Sequence, residues 1–289
     1  WLASLGVLDF AGGTAVHINA GAAGLALAIV LGRRIGFKKH PTRPHSLPFV
    51  LLGAGLLWFG WFGFNAGSAL GANTTAAVAW VNTLAAPAAA MLAWLGVEQV
   101  RDGHPTSLGA ASGIVAGLVA ITPAAGSVSP LGAVAIGILA GLACAFAINL
   151  KNRLGYDDSL DVVGVHLVAG LWGTVGAGLL ATSTGLFYGG GIRQTLLQIV
   201  IALVTVVFSG VVTLVLGLIL KATMGWRIDK DAETSGIDQD VHAESAYDLT
   251  ASPTTDLRVV SCGDAHISNF GFFASPERAL LFDLNDFDE

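Results

Sequence analysis

Charge is what this sequence has least of. Asp, Glu, Lys and Arg make up 12% of its 289 residues, where soluble domains carry about a quarter. The run from Gly12 to Gly32 holds none of the four. Such a chain cannot cover itself with hydrated groups, which excludes an ordinary soluble domain and makes lipid its solvent. A mean hydropathy of +0.70 agrees. Cysteine is nearly absent too. Cys144 and Cys262 lie far apart, which excludes a disulfide framework and the spacing of a thiolate metal site. Neither metal nor cofactor is expected, and no nucleic-acid partner. The chain opens on Trp1 with no signal peptide before its first apolar run, so it reads as a fragment.

The few charges are unevenly placed. Residues 1–221 carry ten Lys/Arg against six Asp/Glu, and residues 222–289 carry four against fourteen. That split puts a boundary near residue 222. It suggests a transmembrane domain over 1–222, a cytoplasmic tail over 223–249, and a separate stretch over 250–289.

Seven apolar spans can be read: Gly12–Ile35, Leu47–Leu70, Thr74–Val97, Ser107–Ala124, Leu131–Leu150, Leu160–Ala181 and Leu196–Ala222. The expected fold is an all-α polytopic membrane protein. Lys and Arg cluster in loops one, three and five, at Arg33, Arg34, Lys38, Lys39, Arg43, Arg101, Lys151 and Arg153. The positive-inside rule puts these loops in the cytoplasm with the C-terminus, and Asp9 outside. The pairs Gly63/Gly67, Gly113/Gly117 and Gly137/Gly141 have GxxxG spacing, which lets helix backbones approach closely in lipid.

One polar device occurs twice. Val16-His17-Ile18-Asn19-Ala20-Gly21 returns as Val165-His166-Leu167-Val168-Ala169-Gly170. Spans one and six run in opposite directions, so the copies lie on antiparallel helices, as in an inverted repeat with its site at the repeat interface. Asp9 precedes His17 by eight residues, about 12 Å of helix, and Asp161 precedes His166 by five, about 7.5 Å. A buried histidine either satisfies a neighbouring polar group or marks a pathway. Two on repeat-related helices favour the pathway: facing imidazoles share protons and meet a small polar guest without fixed charge. Asp9 and Asp161 read either as helix N-caps or as site carboxylates. Trp61, Phe64 and Ser68 share one face of span two. They read either as an interfacial aromatic belt or as a gate whose rings attract cations.

Three stretches carry a family resemblance. DFAGGTAVHINAG, WFGFNAGSAL and DVVGVHLVAGLWG, beginning at Asp9, Trp61 and Asp161, resemble the ammonium transporter (Amt/Mep/Rh) family in order and spacing. The resemblance runs from Trp1 to about Tyr247. It implies a trimer of helix bundles in inverted halves, with one pore for ammonium or ammonia in each subunit. It implies that the first four family helices are missing here. By resemblance His17 and His166 are twin pore histidines and Asp9 is a structural carboxylate near the outer recruitment site. Phe64 is then a gating phenylalanine, Ser68 the recruiting hydroxyl and Trp61 a pore-lining ring. Gly236–Tyr247 is similar to the family's cytoplasmic tail, which meets PII-type signal proteins. An inner-membrane protein follows, not an enzyme. An ammonium sensor, or a membrane-anchored phosphotransferase, is the alternative.

The phosphotransferase alternative comes from the C-terminal end. Val260–Asn269 resembles a GDxHxxN catalytic loop and Phe282–Asp288 its metal-binding strand, as in an uncharacterised kinase-like bacterial family. That resemblance implies Asp264 as base and Asn269 and Asp286 as Mg²⁺ ligands. About thirty residues are too few for such a fold. The expectation is a truncated remnant joined through a linker at Thr250–Asp256.

Overall fold

The computed structural model describes residues 3–39, 44–243, 270–274 and 280–284. Each long helix begins where the sequence supplies a start signal. Helix α1 spans Gly13–Leu31 and opens with a π-helical turn. Ser46 caps α2 (Leu47–Gly67), Asn73 caps α3 (Thr74–Arg101), Thr106 caps α4 (Ser107–Ile121) and Ser129 caps α5 (Pro130–Ala147). In each the side-chain oxygen accepts an N–H of the first turn. The short α6 (Leu150–Leu154) leads to α7 (Val163–Leu180), which again opens with a π-helical turn. Helix α8 (Ile192–Thr223) is the longest of the set.

Six of these helices are long and apolar enough to cross a membrane. The fourth expected span is not among them. It was expected over Ser107–Ala124, but α4 stops at Ile121 and has 15 residues. The cause is Pro123, which has no N–H to continue the ladder beyond Thr122, itself still helical in backbone. The chain beyond turns inside the bundle, with Thr122, Ala124 and Ala125 fully buried. Its polar backbone is satisfied locally: the Asn82 amide donates to the carbonyls of Ala125 and Val128. Buried irregular backbone requires that kind of satisfaction.

The core consists of small residues. Ala79, Ala86, Ala116, Ala120, Ala133, Ala140 and Ala177 are fully buried. Large residues face outward, among them Leu203, Val207, Phe208 and Val211 of α8. In water this distribution would be inverted, whereas in lipid, close backbone packing drives association. Helices α3 and α5 run parallel, with Gly137 against Ala86 and Gly141 against Ala90. Added Cβ atoms there would fall on the Ala86 and Ala90 carbonyl oxygens. Gly113 and Gly117 seat α4 on α3 in the same way. Gly63 and Gly67 do not, since nothing lies within 4 Å of a Cβ at either, so that third GxxxG pair packs no helix among the described residues.

The chain divides after Lys230 into two units. In the second, α9 (Lys230–Ser235) and α10 (Ile237–His242) are short helices. There β1 (Phe270–Ala274) pairs antiparallel with β2 (Leu280–Leu284), Phe270 opposite Leu284. Asp264, Asn269 and Asp286, and the linker Thr250–Asp256, lie outside the described residues.

The glycine contacts are testable. Gly137→Ala must shift α3 or α5 and should lose about 1–3 kcal/mol, the usual cost of overpacking. Gly63→Ala, with open space around it, should be neutral. Thermal unfolding of the two variants in detergent, side by side, checks this.

Candidate functional site

The site begins with two helix starts. Asp9 Oδ1 accepts the Thr14 N–H at 2.8 Å and its Oδ2 accepts the Ala15 N–H at 3.1 Å. Asp158 Oδ1 accepts the Val162 N–H at 3.1 Å and its Oδ2 accepts the Val163 N–H at 2.7 Å. Each carboxylate thus sits on the positive end of its helix. Burial pushes the Asp9 carboxyl above the usual carboxylate range, and the N–H groups of Thr14 and Ala15 pull it back down.

This corrects the pairing expected for His166. Asp161 does not cap α7; it pairs with Lys151 of the short α6. The capping carboxylate is Asp158, eight residues before His166, the spacing that separates Asp9 from His17. The backbone bend matches as well. Gly12 and Asp161, each five residues before a histidine, have φ of 92° and 58°. Asp161 occupies a left-handed position, which Asp tolerates better than most residues. The Asp9–His17 segment is therefore not a continuous helix: a cap and a bend precede a π-helical turn.

The π-helical turns Gly13–Ile18 and Val163–Leu167 carry the two histidines. Helices α1 and α7 cross in opposite directions. Thr14 meets Thr174, Ile18 meets Gly170, Gly21 meets Leu167 and Gly24 meets Val162, so one index rises as the other falls. Gly21 and Gly170, the last residues of the repeated pattern, allow this approach. A Cβ on Gly21 would lie 2.5 Å from the Leu167 nitrogen. The His17 and His166 rings end 5.7 Å apart between centroids, tilted by 38°. His17 is 4% exposed. His166 Nδ1 is buried without a hydrogen-bond partner among the described residues.

The aromatic face of α2 lies against His17. Trp61 stacks on His17 at 5.3 Å and 27°, and Phe64 presents an edge to His17 at 6.5 Å. Trp61 and Phe64 meet at 5.9 Å, nearly perpendicular. A concavity of about 450 Å³, lined by Gly53, Leu56, Leu57 and Gly60 with the three rings, opens beside them. Ser68 shares the α2 face but its hydroxyl donates to the Phe64 carbonyl, one turn back.

Sequence reasoning missed Thr122. Its Oγ1 accepts from Trp61 Nε1 at 2.9 Å and lies 3.3 Å from His17 Nε2. The available signal was the Thr-Pro dipeptide ending a glycine-rich span. Also missed was Gln198, fully buried on α8. It accepts from the Leu8 N–H and donates to the carbonyls of Leu8 and Thr174, so it holds the strand of chain leading to Asp9.

Comparison with known proteins points one way for most of the chain. Residues 1–247 match the model of the Ammonium Transporter Family. Residues 243–289 match a family described as an uncharacterized protein conserved in bacteria. An ammonium transporter of Mycobacterium tuberculosis is 58% identical over 265 residues, covering 87% of this chain and 56% of the relative. The chain thus spans about half the length of that relative. Candida albicans Mep2 superposes with a TM-score of 0.75 at 36% identity, over 80% of this chain and 55% of Mep2. A solved structure titled Sensor Amt Protein reaches 0.76 at 32% identity, over 83% and 62%.

The capping assignment separates two neighbouring aspartates. Asp158→Ala leaves two helix-start N–H groups without their acceptor and should cost about 1–3 kcal/mol. Asp161→Asn, which also tolerates the left-handed backbone, removes only a part-buried ion pair with Lys151 and should cost about 1 kcal/mol or less. Melting curves of the two variants in lipid nanodiscs decide between Asp158 and Asp161 as the cap.

Proposed function

The chain belongs to the ammonium transporter family, and on that premise we propose that it conducts ammonium nitrogen across the membrane as neutral ammonia, past His17 and His166. One observation carries the reading: two imidazoles face each other on antiparallel helices inside an apolar bundle. A charge deep in hydrocarbon costs about 3 kcal/mol on insertion scales. An ammonium ion that sheds its proton before entering avoids that cost. Each neutral imidazole offers one donor and one acceptor nitrogen. The pair hydrogen-bonds the guest and relays its proton without adding fixed charge.

In this reading Phe64 is a gate above the pair and Trp61 forms the pore wall. The Ser68 hydroxyl, whose proton goes to its own helix, keeps lone pairs to receive an ammonium N–H. Asp9 acts by holding the start of α1. The loops bearing Arg33, Arg101 and Lys151 face the cytoplasm of an inner-membrane protein, with the C-terminal tail on the same side. The working form is a homotrimer, and the tail, Gly236–Tyr247, meets a PII-type signal protein.

Uptake of labelled methylammonium into lipid vesicles tests the reading. Replacing His17 and His166 together by Ala should lower uptake by about tenfold or more, the scale of a lost polar contact in a dry site. Unchanged uptake and unchanged selectivity in the double variant would sink the pore assignment.

A further inference from the structure

We propose that Thr122 is a positioning residue that fixes the tautomer of His17, with the ring proton on Nε2 and a bare lone pair on Nδ1. Its functional meaning rests on His17 being a pore residue, as proposed above; its chemistry rests on the hydrogen bonds alone.

A hydroxyl has one proton and two lone pairs. Thr122 Oγ1 lies 2.7 Å from the Leu118 carbonyl oxygen, which only accepts, so the hydroxyl proton is committed there. Trp61 Nε1, at 2.9 Å, only donates and takes one lone pair. One lone pair is left for His17 Nε2 at 3.3 Å. An N–H can fill it and a bare nitrogen cannot. Thr122 is fully buried, so bulk water does not compete for any of the three directions. The neutral ring is then protonated at Nε2, and Nδ1 is the acceptor.

The same oxygen sets two side chains at once. It anchors the Trp61 indole and the His17 imidazole, whose rings stack at 5.3 Å. The break in α4 is what delivers it. Thr122 is the last residue before Pro123, and backbone N–H groups of Phe10 and Ala11 donate to the Pro123 and Thr122 carbonyls. The hydroxyl is therefore tied to the chain that leads into α1. A His17 held as an acceptor at Nδ1 suits a guest rich in N–H donors and offers nothing to a guest that only accepts.

The test uses the protein with ¹⁵N-labelled histidine in lipid bilayers, read by magic-angle-spinning NMR. His17 signals are assigned by their loss in His17→Gln. The expected wild-type spectrum has His17 protonated at Nε2, and Thr122→Ser keeps it. Thr122→Val, similar in shape but without the hydroxyl, should bring up the Nδ1–H form. Methylammonium uptake should fall up to about tenfold in Thr122→Val, the loss of a buried hydrogen bond, and recover in Thr122→Ser. A wild-type His17 protonated at Nδ1 overturns the proposal, and so does a Thr122→Val spectrum with the tautomer unchanged. The wild-type spectrum decides by itself even if Thr122→Val does not assemble. Protonation at Nε2 in a wild type that takes up no methylammonium supports the positioning role and overturns the pore reading instead.

Discussion

Two helices of this bundle start on a carboxylate, Asp9 or Asp158, that accepts N–H groups of the first turn. A helix start leaves its first N–H groups without intrahelical partners, and in an apolar medium each unpaired group is costly. A carboxylate accepts two of them at once and lies at the positive end of the helix. Everything at the site follows from this anchoring. The bends at Gly12 and Asp161 and the π-helical turns after them are tolerable because their ends are held. The wider turns re-aim the side chains they carry, and in both copies the carried residue is the histidine.

Packing supplies the second half of the same argument. Alanine and glycine fill the interior, while leucine, valine and phenylalanine face outward. Lipid does not push apolar side chains together as water does, so contact between backbones must hold the helices. Gly21 and Gly170 show why the repeated pattern ends in glycine. The histidine, four residues earlier, meets its counterpart only if the two backbones cross at that point. Polar side chains then lock the crossing: Thr14 to Thr174, and Gln198 to the chain before Asp9.

Much of this was legible in the sequence, because hydrophobic runs and a repeated motif are local signals. The six long helices and the inverted arrangement of the VHxxAG copies follow from periodicity and order, whereas the closeness of Trp61 and Phe64 to His17 was implied only by the family resemblance. The failures were tertiary. Asp161 lies nearer the α7 start than Asp158 in sequence, but a left-handed bend turns it toward Lys151 and leaves Asp158 facing the N–H groups. The eight-residue spacing common to Asp9 and Asp158 carried the answer. The length of α4 was misjudged because hydropathy continues past Ile121, while Pro123 ends the ladder regardless of hydropathy. Gly63 and Gly67 carry the packing motif yet meet no neighbour. Spacing alone does not say which face is covered.

The broken end of α4 explains why the site lies where it does. Irregular backbone inside a membrane protein is kept only where protein groups satisfy it. Three irregular segments border the site: the start of α1, the start of α7 and the turn after Ile121. The first and third satisfy each other, and Asp158 closes the start of α7. Phe10 and Ala11 donate to Pro123 and Thr122, and Asn82 closes the turn from the α3 side. His17 stands where the three meet, with His166 on one side and Thr122 and Trp61 on the other. A straight α4 would leave the Phe10 and Ala11 N–H groups without these carbonyl acceptors. The constraint that every buried polar group find a partner thus gathers the polar side chains of this apolar chain at one point.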